Sequence, residues 1–242
     1  DTERITDKNL EKRLKVLAFS RDEINFFTKL GLKKDDVLNA GIFKHRKNWI
    51  QFIKSKRELH QFQEPVVIFS RAESEYFNLN RKRKALEDIK KIIIQERKFK
   101  IIIKTHFKSK DINIYSEVFG KENFNETWSF SDDHQFNLGS ISKFTITFYS
   151  SICIDMLRLG IPNIEYLDLR GLKNFDNEQS LRDNNNNPVF DYRYNDVVIP
   201  AQDLQSLRKA ADIAENLLEK DILKKYYSFF PKEGNSYDFL MI

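Results

Sequence analysis

The sequence predicts an α/β protein built on a parallel sheet flanked by helices, and three features carry that prediction. The first is the stretch 143–169, KFTITFYSSICIDMLRLGIPNIEYLDL. A β-rich run from Phe144 to Tyr149 breaks at Ser150-Ser151, continues as a short apolar helix (Ile152 to Leu159) closed by Gly160, and re-enters an apolar strand after Pro162. The second is the same alternation over most of the chain, where short runs of Val, Ile and Phe are separated by amphipathic segments. The third is that the least core-like residues fall where the strand runs end, which is where such sheets bind ligands.

The elements follow in order. Residues 1 to 15 are charged and read as helical or frayed; Lys15 to Ser20 is a short strand, and Arg21 to Lys29 a helix stopped by Gly31. Asp36 to Gly41 forms a strand-to-turn unit, followed by a helix from Phe43 to Ser55. The charged stretch Lys54 to Glu64 has no period and reads as a connector, with Pro65 opening a new lobe. Val66 to Phe69 is a buried-type strand, and Lys82 to Arg97 a helix with Leu86, Ile89, Ile93 and Ile94 on one face. Phe99 to Lys104 is a strand, Asp111 to Phe119 a helix ended by Gly120, and Trp128 to Phe130 a weak strand. After the 143–169 unit, Asp176 to Pro188 reads as a polar loop, Asp196 to Ile199 as a last strand, and Gln202 to Lys220 as an amphipathic helix. The aromatic tail, with Tyr226, Tyr227, Phe229 and Phe230, is expected to pack back on the body.

With 242 residues the chain is long enough for one large domain or two small ones. Its net charge of +5 comes from 41 basic against 36 acidic residues, a mixed surface and not a polycation. That balance favours anionic ligands without arguing for nucleic acid, because no compact motif interleaves aromatic and basic residues. Cys153 is the only cysteine, so an internal disulfide and a cysteine-based zinc site are both excluded. No apolar run approaches the ~20 residues needed to span a bilayer, and the N-terminal stretch lacks the apolar core of a signal peptide. A cytoplasmic protein is expected, with room for peripheral association at the inner face of the membrane.

Five groups of polar residues fall at strand ends: Ser70-Arg71, Lys104-Thr105-His106, Asp132-Asp133-His134, Ser150-Ser151, and Glu165 with Asp168. Taken singly each has an ordinary explanation: a solvated charge for Arg71, a helix cap for His106 or Ser150. Glu165 on an apolar strand is harder to dismiss, since a buried carboxylate without a partner is costly. Converging on one edge of one sheet, they suit a nucleoside phosphate. Arg71, Lys104 and His106 serve phosphate oxygens, Ser150, Ser151 and their helix N-terminus are neutral donors, and Glu165 accepts from ribose or base. No GxxxxGK[ST], GxGxxG, HExxH or GxSxG occurs, which argues against P-loop, dinucleotide, zinc-protease and α/β-hydrolase chemistry.

These residues resemble the C-terminal, donor-binding half of GT-B-fold glycosyltransferases of the bacterial capsule and surface-polysaccharide type, including sialyl-, Kdo- and glycerophosphate-transferring enzymes. The resemblance rests on Ile103-Lys104-Thr105-His106-Phe107, Phe148-Tyr149-Ser150-Ser151 and Leu159 to Tyr166, and covers roughly residues 66 to 200. Phe107 stands where the family usually has proline. The resemblance implies a Rossmann-like domain in which His106, Ser150 and Ser151 bind the phosphate of a cytidine-nucleotide sugar donor, CMP-linked, with Glu165 near its nucleoside; Ser70, Arg71 and Lys104 complete the expected donor-binding residues. No catalytic base is assigned; Asp132, Asp133 and His134 are the nearest candidates, and a plain polar loop accounts for them better.

The expected domain organisation is a partial N-terminal lobe and connector over 1–64, the Rossmann-like nucleotide-sugar-binding domain over 65–200, and a C-terminal helix and tail over 201–242. The residues ahead of Pro65 are too few for the family's acceptor-binding lobe, so a fragment, a compact variant or one piece of a larger polypeptide is expected. The expected partners are a nucleotide-sugar donor and a glycan or glycolipid acceptor, with no nucleic acid, no cofactor and no metal. Two other readings stay open: a nucleotide-sugar 2-epimerase on the same fold, and a non-catalytic scaffold subunit.

Overall fold

A computed structural model describes residues 16–57, 60–108 and 113–230. The expectations for residues 1 to 15, for Asp111 and for the tail beyond Phe230 lie outside the described residues. Two compact units are present, one formed by 1–51 with 224–242 and the other by 52–223.

In the smaller unit, β1 (Val16–Ala18) pairs in parallel with β2 (Val37–Asn39), and α1 (Arg21–Lys29) connects them. Ser20 caps α1 by accepting from the Glu23 amide at 3.2 Å, while the Glu23 carboxylate accepts from the Phe19 amide, so two of the helix-entry donors are satisfied. The expected helix from Phe43 resolves into a 3-10 turn, Phe43–His45, followed by α2 (Lys47–Ser55). His45 is buried, and its Nδ1 lies 3.0 Å from the Tyr226 hydroxyl.

The larger unit contains a six-stranded, wholly parallel sheet in the order β5-β4-β3-β6-β7-β8. Its strands are β3 (Val66–Phe69), β4 (Ile101–Lys104), β5 (Trp128–Phe130), β6 (Phe144–Thr147), β7 (Asn163–Tyr166) and β8 (Ile199–Ala201). The connecting helices are α3 (Leu79–Ile89), α4 (Asn113–Phe119), α5 (Gln135–Ile141), α6 (Ile152–Leu159), α7 (Asp191–Tyr194) and α8 (Leu204–Asn216), with α9 (Glu219–Phe229) after them. Helices α3, α4 and α8 bury Leu86, Ile89, Tyr115, Phe119, Leu207 and Ala211 against one face. Leu138 of α5 and Met156 of α6 cover the other face, over Val67, Phe69 and Ile102. Being covered on both sides, β3 and the Ile101–Ile103 run of β4 are apolar instead of alternating, while β6, equally buried, alternates Phe144 and Ile146 with Thr145 and Thr147.

Several elements differ from expectation. The helix expected from Lys82 begins at Leu79, because Asn78 caps it by accepting from the Arg81 amide at 3.0 Å, and a π-helical stretch, Lys90–Glu96, completes it. Helix α5 falls in HQFNLGSIS, a stretch to which the sequence reading assigns no element. It forms because His134 accepts from the Phe136 amide at 3.1 Å, and because Gly139 lets α6 approach: a Cβ there would lie 2.6 Å from the Met156 sulfur. The last strand is displaced from Asp196–Ile199 to Ile199–Ala201, where Pro200 is tolerated at a sheet edge. The helix expected over Gln202–Lys220 ends at Asn216, and α9 starts anew at Glu219.

Candidate functional site

From β3 the chain moves to β4 and then β5 on one side, and returns to β6 on the other side of β3. The carboxyl ends of β3 and β6 therefore flank a topological switch point, where open parallel sheets leave a crevice. Ser70 and Arg71 follow β3, and Tyr149, Ser150 and Ser151 follow β6. An Arg71 Nη donates to the Tyr149 carbonyl, while its guanidinium carbon lies 5.3 Å from the Tyr76 ring centroid and 5.5 Å from that of Tyr149. Two aromatic faces and one carbonyl thus hold the cation across the crevice. Tyr149 itself has φ +56°, a left-handed conformation that a bulky residue adopts only under local constraint. Its hydroxyl donates to Asp191 at 2.9 Å, and burial and the Asp191 carboxylate push the phenol well above its usual range.

The ends of β4 and β5 are tied in the same way. Lys104 Nζ donates to the Asp132 carbonyl at 2.9 Å. His106 is half-buried; its Nδ1 accepts the Lys108 amide at 3.1 Å, which leaves the proton of the neutral ring on Nε2. Burial, then the charges of Arg71, Lys108 and Lys82, hold the imidazole below its ordinary value, so this tautomer is a neutral donor at pH 7. Phe107, in the position the resemblance reserves for proline, stacks on His106 with a centroid separation of 4.7 Å and is 86% exposed.

The turn after β6 presents hydroxyls more openly. Ser151 occupies the N-cap position of α6 but makes no side-chain capping bond, and it is exposed. Ser150 Oγ accepts weakly from the Ile152 amide at 3.4 Å. The helix carries Asp155 in its first turn and closes at Gly160, whose φ of +72° suits only glycine without strain.

Glu165 lies in β7 opposite Thr147 and has no exposed surface. Its partner, missed from the sequence, is Arg193 of α7: Nε lies 3.3 Å from Oε1, off the line needed for a hydrogen bond, and neither carboxylate oxygen accepts one. Burial pushes the carboxyl up to about 7, against the pull of the guanidinium. One Arg193 Nη donates to the carbonyls of Glu165, Leu167 and Ala201 at 3.0–3.1 Å, so the same side chain clamps the ends of β7 and β8. A lone arginine in DYRYND gives no sequence signal for that role.

The three residues after β5 divide. Asp133 accepts from Asn137 at 2.8 Å and from the His134 amide at 2.6 Å, and pairs with His60 at 3.3 Å. His134 caps α5. Asp132 alone has an exposed side chain. The structure thus brings Ser70, Arg71, Ser150 and Ser151 to the switch point and places Lys104 and His106 at the adjoining strand end. Asp168 turns away to pair with Arg170 at 2.8 Å.

No protein-family model matches the sequence, and no curated protein matches it. Among solved structures, a UDP-N-acetylglucosamine 2-epimerase is similar with a TM-score of 0.59 at 12% identity, covering 98% of this chain and 59% of its own. The UDP-GlcNAc 2-epimerase of Methanocaldococcus jannaschii, in complex with UDP-GlcNAc and UDP, gives 0.55 at 14%, covering 85% and 55%. The wall teichoic acid polymerase TagF gives 0.54 at 14%, covering 99% and 59%. The chain spans somewhat more than half the length of these structures, and it shares their GT-B-like α/β fold, a parallel sheet flanked by helices.

Proposed function

We propose that this chain is the donor-binding part of a glycosyltransferase, taking a sugar from a nucleotide-activated donor, CMP-linked by the resemblance, in bacterial surface-polysaccharide synthesis. The observation that supports this most is the meeting of Arg71 with the Tyr149-Ser150-Ser151 turn at the switch point, beside the Lys104–His106 strand end. In this reading Arg71, Lys104 and the Nε2–H of His106 hold the donor phosphate with Ser70, Ser150 and Ser151. As the bond from the sugar carbon to the phosphate oxygen breaks and the acceptor oxygen bonds that carbon, negative charge grows on the phosphate. Donors already aimed there bind this state more tightly than the ground state. The reading includes the domain division at 65 and 200, a glycan or glycolipid acceptor, and work at the inner face of the membrane. No helix among the described residues is long and apolar enough to cross one.

The test is a thermal-shift panel of CMP, CDP, UDP and GDP, followed by a product assay with the stabilising nucleotide as its sugar conjugate. Stabilisation follows binding to the folded state. Transfer that needs an acceptor is expected; an epimerised sugar nucleotide formed without one would replace the transferase by an epimerase, and no stabilisation by any nucleotide would sink both.

A further inference from the structure

Behind Ser70, which the crevice reading uses, stand two buried side chains, Tyr115 and Lys82, which it does not. The Ser70 hydroxyl, 6% exposed at the end of β3, hydrogen-bonds the phenol of Tyr115 on α4. Tyr115 is wholly buried, and the ammonium of Lys82 on α3 sits 5.2 Å from its ring centroid. Lys82 also has no exposed surface, and its Nζ donates to Glu73 at 3.0 Å. A buried ammonium is costly, and apolar side chains replace such pairs without loss of stability, so packing does not account for a lysine here.

We propose that Lys82 and Tyr115 are positioning residues for Ser70, turning its hydroxyl proton toward an anion in the crevice; this rests on the nucleotide-binding reading above. Ser70 and Tyr115 can share their hydrogen bond in either direction. An ammonium over the ring draws electron density from the phenol, which makes it the better donor and the poorer acceptor. Tyr115 therefore donates to Ser70 Oγ, and the Ser70 proton is left for an acceptor on the Arg71 side. A phosphate oxygen there completes a chain of ammonium, phenol, hydroxyl and anion, each polarising the next.

The experiment is calorimetric titration of CMP, UDP and inorganic phosphate into the full chain carrying Tyr115→Phe, Lys82→Met or Lys82→Arg, each alone and combined with Ser70→Ala. Thermal unfolding verifies that each variant is folded. Tyr115→Phe and Lys82→Met should each weaken binding by about 5- to 10-fold, the scale of one lost charge-assisted hydrogen bond. Neither should weaken it further once Ser70→Ala is present, and Lys82→Arg should bind as the parent does. Losses that add to that of Ser70→Ala, or no loss in a folded single variant, would overturn the proposal while leaving the nucleotide site standing. If the parent binds none of the three probes, this proposal falls; the nucleotide reading falls with it only if CDP and GDP also fail to stabilise the chain. Should Tyr115→Phe fail to fold, the cycle between Lys82→Met and Ser70→Ala decides alone.

Discussion

The guanidinium of Arg71, at the end of β3, donates to the carbonyl of Tyr149, at the end of β6, and so joins the two strands across which the chain reverses its direction through the sheet. Arg71→Ala removes the cation and the tie together and should weaken nucleotide binding by about 10-fold or more. Arg71→Lys should not rescue it, because an ammonium cannot both stack between Tyr76 and Tyr149 and keep donors for a ligand. Calorimetry on the folded variants checks both; full rescue by lysine would reduce Arg71 to a point charge.

His106 gives a pH dependence of definite sign. Its imidazole is held below the ordinary value by burial and by Arg71, Lys108 and Lys82, and a bound phosphate opposes those cations. Binding should therefore take up a proton, and affinity should rise as pH falls from about 8 to about 6. Because the folded-state value is the lower one, stability runs the other way. It is fully present above the unfolded value and is lost as pH falls through it, since the unfolded chain then binds more protons. NMR titration of the ring, free and nucleotide-bound, tests the first statement. His106→Ala should abolish the pH slope and weaken binding without unfolding the domain.

The pair Glu165–Arg193 makes a second, opposite dependence. Glu165 stands at about 7 against an ordinary 4.5, so between those values the folded chain holds the extra proton. This group's contribution to stability should fall as pH rises from 4.5 to 7 and then level off. Arg193→Met leaves the carboxylate buried without its cation and should cost on the order of 3–5 kcal/mol at alkaline pH. The cost should be smaller near pH 5, where the carboxyl is neutral. Denaturant titrations at the two pH values measure the difference; an equal loss at both would mean that Arg193 matters only through its three backbone carbonyls.

Gly160 ends α6 with φ +72°, and a Cβ there would lie 2.4 Å from the Glu219 side chain. That side chain is flexible and can move aside, so the backbone conformation sets the cost. Gly160→Ala should lose about 1–2 kcal/mol, seen as a fall of a few degrees in Tm. Nucleotide affinity should be unchanged, because the substitution sits at the far end of α6 from the serines.

Much of the sheet was legible from residue order. Runs such as Val66 to Phe69 and Ile101 to Ile103 are apolar without alternation, which marks strands buried on both faces, and Gly160 marks the end of α6. Helix α5 was not legible, because its cap is a histidine and its glycine reports a helix contact instead of a turn. The roles of the polar residues divided in the same way. That Ser70, Arg71, His106 and Ser151 lie at strand ends followed from the pattern; that Asp133 and His134 are spent on hydrogen bonds around α5 did not.

By itself the sequence determined most of the segments that become strands and helices, α5 excepted, and which residues stand at strand ends, since those follow from local periodicity and chain punctuation. Only the tertiary structure decided the strand order, and with it which of those ends face each other. Pairing Arg71 with Tyr149, Glu165 with Arg193 and Ser70 with Tyr115 joins residues 78, 28 and 45 positions apart. Contacts of that separation depend on how the sheet is wound, and no local pattern encodes them.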